Sequence, residues 1–260
     1  MSKKYEPLTL KELNDFRLKP KIIGSIERYR KTNNLKPEEI RILDWGCGRG
    51  RSVLKLLQMG YDAYGVEIDA QAMSKSYDLF NNLGYSHKSR LMTIEGARLV
   101  KGFIFDFIFS EQVLEHVRNL EDVVNQMSGM AKIDAVGIHT FPGSRVIVEP
   151  HVFIPFVHWL PKNCFRKLYL YIYLKLFFNN LTNWPSLQSA SLSEKVDTLN
   201  DYLNEKTYYR DVDSIVNIFE KHGFISDYNC PFLGSKRYPN FLKKNAFPKG
   251  DIILSTRKVQ

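Results

Sequence analysis

The sequence predicts an α/β protein, a doubly wound parallel sheet carrying a helical cap after its fifth strand. Three observations carry that expectation. Short apolar runs alternate with amphipathic stretches of helical period between residues 38 and 141. One of those runs ends in a glycine-spaced loop, "LDWGCGRG". After Pro142 the alternation lapses into an aromatic-rich stretch, and it resumes only near residue 205.

Taken in order, residues 8–31 place Leu10, Leu13 and Phe16, then Ile22, Ile23, Ile26 and Tyr29, at helical spacing interrupted at Pro20, which predicts two short helices. "IRILDWG" reads as a buried strand of the parallel kind, short and apolar. "RSVLKLLQMG" follows as a helix stopped by Gly60. "DAYGVEID" is a second strand and "AQAMSKSYDLFNNLG" one helix ending at Gly84. "RLMTIEG" and "FIFDFIFS" are the third and fourth strands, "NLEDVVNQMSGMAK" a helix, and "DAVGIHTF" the fifth strand. Beyond the aromatic stretch come a helix, "DVDSIVNIFEKHGF", and a closing strand, "GDIILSTRK". The expected organisation is a single domain: N-terminal helices in 1–37, a core in 38–141, an inserted cap in 142–204 and the rest of the sheet in 205–260.

A chain of 260 residues can bury a full core, and 44% hydrophobic with 25% charged residues is ordinary for a soluble globular protein. Cys47, Cys164 and Cys230 are odd in number and far apart, which argues against a disulfide framework or a structural zinc site and for a reducing compartment. The charged start "MSKKYEPLTLKEL" has no apolar segment behind it, so no secretory signal is expected and a cytoplasmic location is. The net charge of +9 is concentrated at the ends. Residues 1–41 hold eleven Lys/Arg against six Asp/Glu, and residues 232–260 hold seven against one. Such ends suit a phosphorylated substrate, an anionic membrane or nucleic acid, and equally a merely solvated surface.

The glycine loop narrows the ligand. A strand–glycine–helix turn meets its ligand with bare backbone and a helix N-terminus. Dinucleotide folds place their third glycine one residue later than here, and Arg51 occupies that place. The Gly-Lys-Ser/Thr ending of phosphate loops is absent too. What remains is Asp44-x-Gly46-x-Gly48-x-Gly50. A carboxylate before the loop repels a pyrophosphate and suits a cationic ligand.

On these residues the chain resembles the class I S-adenosylmethionine-dependent methyltransferases, over roughly 38–141 and more weakly over 205–258. The resemblance implies a Rossmann-like sheet with an antiparallel last strand and S-adenosylmethionine (SAM) as cofactor. It places Asp44, Gly46, Cys47, Gly48 and Gly50 around the methionine part of SAM. "YGVEID" puts Glu67 on the ribose hydroxyls with Ile68 beside it. "IEGARL" puts Ala97 at the adenine, where the family often has Asp or Asn, and "FDFIFSEQVLEH" puts Ser110 and Gln112 along the cofactor.

For the chemistry, the histidines are candidates. His116 follows the fourth strand; read as a helix, "EQVLEHV" puts Gln112 one turn from His116 and Glu111 one turn from Glu115. His139 ends the fifth strand, and His151 and His158 open the aromatic insert. Some RNA 2′-O- and quinone-pathway O-methyltransferases carry a similar Glu-x-x-Glu-His element that binds a divalent metal with a later histidine. Here Gln112 replaces the first Glu, and the resemblance implies Glu115, His116 and His151 as the ligands of Mg²⁺ or Mn²⁺. Two alternatives stay open: His151 and His116 as catalytic groups without metal, and a Glu-His pair that only shapes the pocket. His158 beside Trp159 is expected to pack within the cap, and Tyr208 and Arg210 either touch substrate or form a solvated helix start.

"LYLYIYLKLFF", residues 168–178, is too short to span a bilayer. It is open to three roles: a pocket lid, a homodimer contact, or a peripheral membrane contact aided by Arg166, Lys167 and Lys175. "EPHVFIPFVHWLP" resembles a segment of methyltransferases in surface-polysaccharide (capsule) and secondary-metabolite pathways. The expected function is O-methylation of a small polar, phosphorylated acceptor in polysaccharide biosynthesis. The alternatives are a quinone or lipid enzyme at the membrane surface, an RNA methyltransferase, which lacks any visible RNA-binding platform, and a silent SAM-binding partner subunit.

Overall fold

A computed structural model describes residues 6–99, 104–177, 184–229 and 251–259, with the backbone alone at 97–99. Cys230, the basic run from Lys236 to Lys249 and the last residue of the 168–178 segment fall outside these residues. Seven strands form one sheet: β1 (Arg41–Trp45), β2 (Asp62–Glu67), β3 (Leu91–Thr93), β4 (Phe105–Glu111), β5 (Ala131–Pro142), β6 (Phe224–Asn229) and β7 (Asp251–Lys258). Their order is 3-2-1-4-5-7-6, parallel through β5, with β7 antiparallel to both neighbours. This is the Rossmann-like methyltransferase arrangement. The order reverses between β1 and β4, the place where such sheets open a crevice at their C-terminal edge.

The helices are α1 (Leu10–Asp15), α2 (Pro20–Thr32), α3 (Arg51–Gln58), α4 (Ala70–Ser74), α5 (Tyr77–Asn82), α6 (His87–Arg90), α7 (Ile94–Leu99), α8 (Leu120–Met130), α9 (Cys164–Leu176), α10 (Leu192–Glu205) and α11 (Val212–Lys221). Both sheet faces are covered, and β4 is accordingly buried at six successive residues, Phe105 to Ser110. Ile42, Ala63, Phe107 and Phe109 pack with α2 and α3 on one face. Leu43, Trp45, Phe105 and Ile108 pack with α8 and α11 on the other. Each buried Leu, Ile or Phe among these contributes about 1.5–3 kcal/mol on leaving water. A third cluster, separate from these, joins Val152, Ile154 and Val157 to Leu170 and Leu174 of α9 and to Val196, Leu199 and Leu203 of α10.

Several elements of the structure depart from the sequence reading. The 70–84 helix is two, because the buried Ser76 hydroxyl bonds back to the Met73 carbonyl at the break. The third strand stops at Thr93, whose hydroxyl accepts the Gly96 amide at 3.0 Å and starts α7 where strand was expected. β6 was not anticipated; only its Phe224 is buried, so its pattern carries almost no apolar signal. α10 was passed over although Ser191 and Glu194 form a capping box.

Candidate active site

At the end of β1 the chain must turn away from the sheet within one residue. The Gly46 and Cys47 amides bond the Val66 carbonyl at 2.8 and 3.1 Å, pinning the turn to β2. Gly46 has φ +81° and faces Val113 so closely that an added Cβ would lie 2.4 Å from its methyl. Gly48, with φ +54°, has nothing within 4 Å on its Cβ side, so the loop's middle offers bare backbone to open space. Gly50 is the left-handed residue from which α3 starts. The Cys47 side chain turns onto Gly65 of β2 instead of the opening.

Three carboxylates gather at this edge. Glu67 ends β2, its Oε2 accepting the Gly48 amide at 2.7 Å and its Oε1 the amides of Ile68 and Asp69 at 2.8 and 3.0 Å. Asp44 is buried, and burial together with the charges of Glu111 and Glu67 pushes its pKa well above the usual carboxylate range. Glu111 ends β4 and pairs with Lys19 at 3.3 Å, which also holds Asp251. A cationic ligand would relieve the mutual repulsion of Asp44, Glu67 and Glu111. Ile68, 74% exposed, presents an apolar face beside Glu67. The N-terminal segment closes over the loop: Arg49 bonds the Glu6 carbonyl and Glu12, and Arg51 lies over the Phe16 ring.

Ser110 and Gln112 are placed differently from each other. Ser110 Oγ is fully buried against His139 Nδ1 at 2.8 Å, so its side chain faces the core. His139 is not at the crevice: β5 runs on to Pro142, and burial against Phe219 lowers the imidazole pKa to about 3. Gln112 adopts φ +56°, its amide bonded to the Thr140 carbonyl, and its buried Nε2 has no hydrogen-bond partner. The side chain of Ala97 lies outside the described residues. The expected helix over 111–117 is only a single tight turn, Leu114–His116, so the one-turn pairing of Gln112 with His116 does not form.

That turn and the start of the insert bring Glu115, His116 and His151 together, with one ligand-type atom from each within 4.8 Å of the others. Glu115 is 3% exposed, neither carboxylate oxygen has a hydrogen-bond partner, and burial pushes its pKa up to about 8. His116, its side chain 34% exposed, donates from Nδ1 to the Lys206 carbonyl at 2.6 Å, which fixes Nε2 as the acceptor of the neutral ring. His151 Nδ1 donates to Glu149 Oε1 at 2.8 Å, and the two imidazoles meet edge to face at 4.8 Å.

Glu149 and Tyr209 are the residues the sequence reading missed. Glu149 is fully buried and accepts the His151 and Val152 amides and the Tyr209 hydroxyl. Burial alone would raise its pKa; the bonds from His151, Tyr209 and Val152 outweigh burial and hold it low. An acid two residues before a histidine was the available signal. Arg210 and Tyr208 are no solvated helix start. Arg210 clamps the 114–118 segment by donating to the carbonyls of Leu114, Val117 and Arg118. The Tyr208 amide donates to the Glu115 carbonyl. Of the three cations expected to serve a membrane, Arg166 is buried and Lys167 pairs with Asp197, leaving Lys175 outward.

Comparisons with known proteins bear on the family and the fold. The family described as "Methyltransferase domain" matches residues 17–225. An S-adenosylmethionine-dependent methyltransferase from Mesorhizobium loti has a similar structure at 12% identity and TM-score 0.52, over 95% of this chain and 100% of that one. A SAM-dependent methyltransferase from Archaeoglobus fulgidus follows at 14% identity, TM-score 0.49 and coverages of 92% and 97%. Magnesium protoporphyrin IX methyltransferase from Synechocystis PCC 6803, with bound SAM, is similar at 14% identity, TM-score 0.47 and coverages of 92% and 78%. No curated protein matches the sequence. The chain belongs to the methyltransferase-domain family and is a class I SAM-dependent methyltransferase.

Proposed function

We propose that the enzyme methylates a hydroxyl-type oxygen of a small, polar, anionic acceptor seated beside Glu115, His116 and His151. The hydrogen-bonded pair Glu149–His151 carries this reading. Glu149 keeps the proton on Nδ1, so Nε2 is the nitrogen able to take the acceptor's proton. As the O–H bond breaks, an oxygen lone pair forms the C–O bond to the methyl carbon. In the same displacement the C–S bond breaks with its electrons going to sulfur, which neutralises the sulfonium. On the cofactor side, Asp44 and the loop from Gly46 to Gly50 hold the methionine part and Glu67 the ribose hydroxyls. Ile68 and the Ala97 backbone flank the adenine, and Gln112 closes the side toward the acceptor. The described residues of the insert, 142–177 and 184–204, form the wall that excludes water and selects the acceptor, and placement of the reactants supplies about 7–11 kcal/mol.

The orphaned oxygens of Glu115 favour an alternative element of the site, in which His151 Nε2 holds a cation instead of taking the proton. Glu115, His116 and His151 fit a divalent cation, with the Lys206 carbonyl and Glu149 orienting the two rings from behind. A bound Mg²⁺ or Mn²⁺ would supply Lewis acidity that lowers the acceptor hydroxyl's pKa. Loss of turnover in EDTA, restored by Mn²⁺, and Mn²⁺ heat abolished by Glu115→Gln support this element; turnover indifferent to EDTA removes it.

A second acceptor class rests on α9, whose Phe165, Leu168, Ile172 and Leu176 are exposed. Among the described residues no helix is long and apolar enough to cross a membrane, so a lipid acceptor would be met at the surface. Flotation with anionic liposomes that depends on Leu168 and Ile172 would favour it. The assignment to a polysaccharide pathway rests on the sequence resemblance of "EPHVFIPFVHWLP" alone.

The test is a screen of phosphorylated sugars and related precursors, following release of the demethylated cofactor. Turnover that His151→Ala lowers strongly, without loss of SAM affinity, is the expected result. Turnover untouched by that change would remove the proposal.

A further inference from the structure

Behind the catalytic cluster, the segment Lys206–Arg210 has a second face. One face supplies the Lys206 carbonyl to His116 and the Tyr209 hydroxyl to Glu149. The other lines a cleft of about 340 Å³ with the end of α10 and the start of α9. Three cations line this cleft, Lys162, Arg166 and Arg210, and no Asp or Glu does. Among the described residues, the hydrogen bonds of all three go to neutral acceptors. Lys162 Nζ bonds the Asn204 carbonyl at 2.8 Å and lies over the Tyr208 ring. Arg210 bonds only main-chain carbonyls. Arg166 is 3% exposed, its guanidinium held by Asn204 Oδ1 at 3.1 Å and the Leu160 carbonyl, and its buried Nε has no hydrogen-bond partner.

A buried arginine normally faces a carboxylate, because removing a guanidinium from water is costly unless an anion compensates it. Here burial lowers the pKa of both Arg166 and Lys162, and the Arg166 charge lowers Lys162 further. Two neighbouring cations therefore repel each other in a partly desolvated wall. Their positions are fixed without an acid: Asn204 orients Arg166, and the Tyr208 ring and the Asn204 carbonyl orient Lys162. The donors are in place and the counter-charge is not supplied by the chain.

We propose that this cleft is an oxoanion subsite in which Lys162 and Arg166 bind a phosphate group of the methyl acceptor, with Tyr208 and Thr207 at its rim. The inference rests on the reading of the neighbouring cluster as the methyl-accepting site and names the group that anchors the acceptor there. The anchored phosphate and the oxygen to be methylated then belong to one molecule, with Tyr209 lining the cleft and bonding Glu149 of the cluster. Arg210, saturated by carbonyls, acts as a positioning residue and adds charge only.

Calorimetric titration of inorganic phosphate into the full chain, with the demethylated cofactor bound, tests this directly. One phosphate per chain is expected, with affinity falling about tenfold in Lys162→Gln and in Arg166→Gln, as loss of a charge-assisted hydrogen bond implies, while cofactor affinity stays unchanged. Absence of phosphate binding, or equal binding in Lys162→Gln and the unaltered chain, overturns the subsite; the lysine variant decides if Arg166→Gln fails to fold. Phosphate binding without methylation of any hydroxyl acceptor upholds the subsite and removes the O-methyl transfer reading. Methylation without phosphate binding does the reverse.

Discussion

The two halves of the reaction edge are charged in opposite senses. Around the glycine loop stand Asp44, Glu67 and Glu111, acids that repel one another. Around the insert's cleft stand Lys162, Arg166 and Arg210, cations lined by no acid. Each half leaves a like-charge cluster undercompensated, and each is therefore complementary to a ligand of the other sign. The difference teaches how a shared fold is specialised. The acidic half is built into strand ends and suits a donor that is always a sulfonium. The basic half is built from an insert with its own small core and from the segment that follows it, so on the proposed reading a change there should alter the acceptor without disturbing the donor.

The largest expected effect breaks the division between the halves. His151→Ala should lower kcat by roughly 10²–10⁴, the contribution of a positioned base, while SAM affinity measured by calorimetry stays within about twofold. Glu149→Gln should give a smaller loss in the same direction, because it removes the charge that holds Nδ1–H. A fall in SAM affinity in either variant would mean that the two halves are one site.

Glu67→Ala works from the other side. It removes the acceptor of the Gly48 amide as well as the group placed on the ribose hydroxyls. A loss of about 3 kcal/mol, roughly a hundredfold in SAM affinity, is expected, and phosphate binding at Lys162 should not move. Gly46→Ala tests the turn beneath: a Cβ 2.4 Å from the Val113 methyl at φ +81° should cost about 1–3 kcal/mol in chemical denaturation.

At pH 7 the smallest effect on the reaction concerns a group that belongs to neither half. Burial keeps the folded-state pKa of His139 at about 3, below its ordinary 6.5. The unfolded chain therefore takes the proton first, so stability present above pH 6.5 is lost as pH falls toward 3. The slope approaches ~1.4 kcal/mol per pH unit. His139→Gln should flatten that part of the stability–pH curve, read by denaturation at pH 7, 6 and 5, with SAM affinity at pH 7 unchanged.

How far the sequence was legible follows the same line. The acidic half was readable because it depends on local order: Asp44 at a strand end, glycines at alternate positions, and Glu67 at the next strand tip. Glu115, His116 and His151 were also singled out, and the fold brings them together across 34 intervening residues. The support behind them was not visible. Glu149 and Tyr209 are sixty residues apart, and nothing in either segment announces the other. The direction of Arg166 was misread for the same reason, since α9 is apolar on most sides and only the packing of α10 decides which face turns inward. β6 stayed hidden because an edge strand with one buried residue has no periodic apolar signal.

The division of charge is tested most directly by one paired measurement: the specificity, kcat/KM, for a hydroxyl acceptor identified in the screen and for the same acceptor stripped of its phosphate. The account predicts that the phosphorylated member is preferred about tenfold or more, through KM, and that Lys162→Gln erases the preference. Equal specificity for the two members in the unaltered enzyme would contradict it.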